Sequence, residues 1–157
     1  MHVTANAVSP SSLRLMLGER TGRVLAGTGD SAGYPLALGT LNVLPGPFRQ
    51  NPPQESELEA AIEFVEDVIM PLAKRLPAGA MLESGDPLAL RIAALSSGAE
   101  KPKAVTLVAV EALFGRLAIA AQRGAWIGEA MDGPMAAYLL ILREIMHHWH
   151  IDRLDLA

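Results

Sequence analysis

Cysteine is absent from this sequence of 157 residues, which removes disulfides, thiolate nucleophiles and thiolate metal sites together. Any metal would have to be held by histidine and carboxylates. A cysteine-free chain also suits a reducing compartment, so a cytoplasmic location is expected. Aromatic residues make up only 4% of the chain and charged residues 19%, against roughly 25% charged in an average soluble protein. No basic excess exists either: the net charge is −4 and the isoelectric point is near 5.5. Broad attraction to phosphate backbones or anionic lipid is therefore missing, and neither nucleic acid nor membrane is expected as a partner. The longest apolar region, residues 104–121, is broken by Glu111 and Arg116, so it falls short of the roughly 20 apolar residues a bilayer requires. The opening MHVTANAVSP has neither the basic start nor the apolar run of a secretory signal.

What the chain has in quantity is aliphatic side chains. Half its residues are hydrophobic and its mean hydropathy is +0.26, so leucine, isoleucine, valine, alanine and methionine must build the core. With so little charge to cover the surface, part of the apolar area is expected against a second subunit. Self or another protein is the expected partner.

Along the chain, residues 12–18 alternate Leu13, Leu15 and Leu17 with Arg14 and Met16, the period of a half-buried strand. Residues 23–27 follow after a short polar segment, as in a hairpin. Residues 35–45, PLALGTLNVLP, are apolar on both faces and predict a strand inside the sheet, covered on both sides. Prolines crowd residues 45–53, beyond which the pattern turns helical. Ser56 and Glu59 predict a capping box ahead of an apolar stripe through Ala61, Val65, Ile69 and Leu72. Pro71 is expected to kink or end that helix. Residues 80–84 are short enough for a returning strand. Asp86 before Pro87, with Gly98 as a stop, predicts a helix over 87–97. Residues 104–110 suit either a strand or the start of a helix reaching residue 122, and the helix is preferred. Residues 134–150, PMAAYLLILREIMHHWH, form the last helix, apolar nearly all round in its first half.

Strands first and helices second predict a single α+β domain over 1–157: a three- to four-stranded antiparallel sheet from the N-terminal half, with C-terminal helices packed on one face.

Chemistry concentrates at the end of the last helix. Glu144 precedes His147 by three residues and His148 by four, which places a carboxylate beside imidazoles on one helix face, as a helical metal site would require. The preferred reading is simpler: His147, His148 and His150 satisfy carbonyls at the helix C-terminus. No cofactor is expected, and a divalent metal only at this cluster. Gly27, Gly29 and Gly33 with Asp30 resemble a phosphate-binding turn but precede a strand-like run rather than the helix such a turn needs. Ser84 lacks the Gly-x-Ser-x-Gly context of a nucleophile, and Asp86 is read as a helix cap.

With no complete catalytic constellation, the sequence predicts a non-catalytic interaction or accessory protein. It would be homo-oligomeric through helical surface carrying Leu113, Leu117, Leu139, Leu140 and Ile141. The alternative is a small enzyme or ligand-binding domain with its pocket closed by Trp126, Asp132 and the Glu144, His147 and His148 cluster.

Overall fold

A computed structural model describes residues 12–27 and 33–157. Its strands are β1 (Ser12–Leu17), β2 (Gly22–Ala26), β3 (Gly33–Leu36), β4 (Met81–Ser84), β5 (Ala104–Thr106) and β6 (Arg153–Leu156). Its helices are α1 (Glu55–Ala73), α2 (Pro87–Ser97), α3 (Leu107–Arg123) and α4 (Gly133–His148). The strands form one six-stranded sheet in the order β3-β2-β1-β4-β6-β5.

The sheet is mixed. The β1–β2 and β2–β3 pairs are antiparallel, β1–β4 and β4–β6 are parallel, and β5 returns antiparallel on the far edge. This corrects the expected antiparallel sheet of three or four strands from the N-terminal half alone. Parallel neighbours need a crossover between them, and the helices supply it: α1 separates β1–β3 from β4, while α2, α3 and α4 separate β4 from β6.

Register explains which face is covered. Leu13, Leu82, Leu154 and Val105 lie opposite one another across four strands, and all are buried. Each contributes about 1.5–3 kcal/mol of hydrophobic stabilisation. The alternate positions Arg14, Met16, Met81 and Arg153 are exposed, and Arg14 pairs with Glu83 across β1 and β4 at 2.7 Å. The helices cover only the leucine face. There α4 is central, in contact with α1, α2 and α3, and Met135–Leu142 is buried throughout.

That central position accounts for a second correction. Leu113, Leu117, Leu139, Leu140 and Ile141, expected at a subunit contact, are 0–2% exposed within the chain's own core. A helix apolar all round is one surrounded by its own neighbours.

Local starts and stops follow sequence chemistry, with shifts. The helix expected over 87–97 is α2, ended by Gly98 at φ 76°. The α1 box moves two residues earlier: the Glu57 carboxylate accepts the Gln54 amide at 3.2 Å and the Arg49 amide at 2.8 Å, because the proline-rich connector folds back over the helix start. Pro71 lies inside α1, two residues from its end. Residues 104–110 hold both expected structures in turn, β5 and then α3, with Thr106 Oγ1 accepting the Ala109 amide at the junction.

The strand expected over 35–45 is largely absent. β3 stops at Leu36 on the sheet edge, and residues 39–42 make a tight turn closed by a Gly39–Asn42 bridge. Gly39 lets this turn pack closely, since a Cβ there would lie 2.5 Å from the backbone of Glu19. Its apolar neighbours Leu38 and Val43 enter the core from a turn. Among the described residues, no helix is long and apolar enough to cross a membrane.

Candidate functional site

The parallel strands β1, β4 and β6 run out at Leu17, Ser84 and Leu156 on one edge of the molecule. In sheets with parallel strands, this carboxyl edge is where ligands commonly bind. Asp86, two residues past β4, stands at that edge. Its Oδ2 accepts the Leu17 amide at 3.0 Å and the Tyr138 hydroxyl at 2.8 Å. Ser84 Oγ accepts the Asp86 amide at 3.1 Å and lies 3.2 Å from the Tyr138 hydroxyl. Since Tyr138 has one proton and gives it to Asp86, Ser84 is the donor in that last contact.

Burial of Tyr138, reinforced by the neighbouring Asp86 carboxylate, pushes its phenol well above the ordinary tyrosine range. It therefore remains a proton-bearing donor at neutral pH. Asp86 is thus fastened at one oxygen by β1 and by α4. Among the described residues its Oδ1 has no partner.

Beside Asp86 opens a cleft of about 660 Å³, lined by Gly18, Thr21 and Arg23 of the β1–β2 hairpin, by Leu36 and by Asp86 itself. The hairpin turn is held from behind: the Thr40 amide donates to Gly18 O at 3.0 Å, and the Leu41 amide to Glu19 O at 2.7 Å. Asn42 Nδ2 donates to Arg20 O at 3.1 Å. The cleft offers a fixed carboxylate and a guanidinium from Arg23, a combination suited to an anionic ligand with a proton to transfer.

A second polar cluster sits at the far end of α4, ten residues beyond Tyr138 and so about 15 Å along the helix axis. Here Glu144 is buried and His148 partly exposed. His148 Nε2 is 2.9 Å from Glu66 Oε2 on α1 and 3.3 Å from Glu144 Oε1. Arg143 donates through Nη1 to Glu144 Oε2 at 2.8 Å and through Nε to Glu111 Oε1 on α3 at 2.7 Å. Its guanidinium also lies over the Phe114 ring, 4.5 Å from the centroid. Burial raises the Glu144 carboxyl pKa above its ordinary value; Arg143 opposes the rise and Glu66 adds to it.

The residues expected together at one pocket are separated. Glu144 and His148 do meet. His147 is exposed and touches the cluster only edge-on, its ring centroid 5.0 Å from that of His148. His150 is exposed at φ 57° just past the helix. Asp132 caps the opposite end of α4, its Oδ1 accepting the Met135 amide at 2.9 Å. Trp126 Nε1 donates to Asn51 Oδ1 at 2.6 Å. The expected cap at Asp86 holds in position only: its side chain makes no capping bond to α2. Most of the glycine loop suspected of phosphate binding, residues 28–32, lies outside the described residues.

Three participants escaped the sequence reading. Tyr138 looks like one more member of an apolar stripe, and Arg23 like an exposed strand residue. Glu66 stands 82 residues before His148, a separation over which no helical spacing speaks. Its only signal is a carboxylate one position past Val65 on the edge of the buried stripe of α1.

This arrangement of a mixed sheet and crossover helices recurs in solved structures. No protein-family model matches the sequence, and no curated protein is similar to it. Among solved structures, the chain resembles the Ppx/GppA enzyme of Aquifex aeolicus at TM-score 0.72 and 18% identity, over 96% of this chain and 55% of that one. It resembles an exopolyphosphatase-like protein at TM-score 0.68 and 12% identity, over 98% and 58%. An exopolyphosphatase from Cytophaga hutchinsonii matches at TM-score 0.64 and 15% identity, over 94% and 53%. The chain thus spans little more than half the length of these proteins. The fold corrects the expectation of a non-catalytic accessory protein: its neighbours are phosphatases, which favours the alternative of an enzyme or ligand-binding domain.

Proposed function

We propose that this chain is a phosphate-handling enzyme domain that takes the end of a phosphoanhydride chain, such as inorganic polyphosphate, in the cleft at Asp86. The observation that carries the reading is the place of that carboxylate: at the carboxyl edge of parallel strands, fastened at one oxygen and, among the described residues, open at the other, in a fold shared with solved structures named as phosphatases. Arg23 gives the cleft local positive charge in a chain whose net charge is −4.

In this reading Asp86 Oδ1 takes a proton from a water molecule as the water oxygen attacks the terminal phosphorus. The bond to the bridging oxygen breaks, and the shortened chain leaves with the electron pair. Tyr138 and the Leu17 amide hold the carboxylate in place. A cytoplasmic location belongs to the same proposal and is supported by the absence of cysteine.

Equilibrium binding of a defined-length polyphosphate, together with release of inorganic phosphate, tests the reading. Saturable binding weakened by Arg23→Ala, with phosphate release abolished by Asp86→Asn, is the expected result. Binding indifferent to both substitutions would overturn it.

A further inference from the structure

The cluster at the end of α4 plays no part in the proposed reaction, and its geometry has an unresolved demand. His148 Nε2 faces carboxylate oxygens of both Glu66 and Glu144, at 2.9 and 3.3 Å. One ring nitrogen carries at most one proton, so it cannot give both oxygens a linear hydrogen bond. The charge is also unbalanced: Arg143, the one fixed cation, pairs with Glu111 and Glu144, and Glu66 adds a third carboxylate at His148. With His148 neutral, the group has an excess of two negative charges.

We infer that Glu66, Glu144 and His148 form a binding site for a divalent transition-metal ion of the zinc type, which clamps α1 to α4. The three candidate ligand atoms lie within 4.8 Å of one another. Two ligands on a tetrahedral zinc, each at about 2.0–2.1 Å, sit roughly 3.3–3.4 Å apart, which is the His148–Glu144 separation. The His148–Glu66 pair has to open by only a few tenths of an ångström, and Glu66 is one-third exposed and able to move.

Imidazole with carboxylates is a donor set suited to zinc and its neighbours in the first transition row. The outer contacts suit it as well. Arg143 occupies Glu144 Oε2 and leaves Oε1 turned to His148, while Glu111 holds Arg143 in turn. Such partners fix the orientation of ligating carboxylates. Solvent reaches the site past Glu66 and His148, whereas the Glu144 side chain is 2% exposed, which leaves an entry path and a coordination position for water. The two positive charges of the ion bring the local charge to balance. Its distance from the Asp86 cleft makes its role structural.

Untagged protein stripped with a chelator and titrated with zinc chloride by calorimetry, with a parallel thermal melt, tests this. One equivalent should bind at micromolar dissociation constant or tighter and raise the melting temperature. His148→Ala and Glu66→Gln should each weaken binding by more than about tenfold, while His147→Ala and His150→Ala bind as the parent does. Glu66→Gln keeps the shape of a partly exposed side chain, so it serves if His148→Ala does not fold. No saturable binding, or binding lost in His147→Ala or His150→Ala instead, would overturn the site.

Discussion

The Tyr138 hydroxyl donates to Asp86 at 2.8 Å and so ties the most buried helix of the protein to the loop that leaves its central strand. Removing that oxygen takes a donor from the carboxylate and leaves the buried Ser84 hydroxyl without its acceptor. Tyr138→Phe should lower stability by about 1–3 kcal/mol, read as a shifted urea midpoint. If Asp86 is the group that meets phosphate, the same variant should weaken phosphate release while the far end of α4 is undisturbed.

Gly39 supports the cleft from behind. A methyl group there meets the Glu19 backbone at 2.5 Å, and backbone atoms cannot rotate away. Gly39→Ala should push the β1–β2 turn outward and lower stability by about 1–3 kcal/mol. Hydrogen exchange checks the mechanism: the Leu41 amide, bonded to Glu19 O at 2.7 Å, should lose protection before the amides of α1 do.

His150 occupies the position after the α4 cap where glycine is usual. Its φ is 57°, and the Ile151 amide reaches back to Met146 O at 2.9 Å, the closing bond of a Schellman turn. His150→Gly should stabilise the protein by roughly 0.5–1 kcal/mol, since relief of left-handed strain exceeds the added freedom of the unfolded chain. An unchanged or lower melting temperature would show that the imidazole contributes a contact of its own.

The Glu144 carboxyl titrates above its ordinary value of 4.5 in the folded protein. Groups from α1 and α4 face it: Glu66, His148 and Arg143, the last shared with Glu111 of α3. The folded state therefore holds this proton to higher pH than the unfolded state does. The resulting stability is complete below about 4.5 and is lost as pH rises through the folded value. In chelator-treated protein, Glu144→Gln lacks that loss, so its stability relative to the parent should rise with pH above 4.5. Paired thermal melts across that range provide the measurement.

Much of the local structure was legible because it depends on neighbours in sequence. Pro87 and Gly98 bound α2 as their chemistry requires, and Leu13 and Leu15 alternate with Arg14 and Met16 because β1 is covered on one face only. Weak elements escaped. β5 and β6 have three and four residues, too few for a period to register, and residues 35–45 read as a strand because apolarity records burial without recording backbone shape.

By itself, the sequence determined that the core would be aliphatic and cysteine-free, where most helices begin and end, and that 134–142 would be deeply buried. Each of these follows from side-chain chemistry and short-range spacing. Tertiary structure alone decided that the apolar helix is enclosed by its own chain rather than by a second subunit, because burial depends on what lies opposite. It also decided the sites. Asp86 meets Tyr138 and Leu17, and Glu144 and His148 meet Glu66, only because crossover helices bring distant segments to one edge of the sheet or one end of a helix.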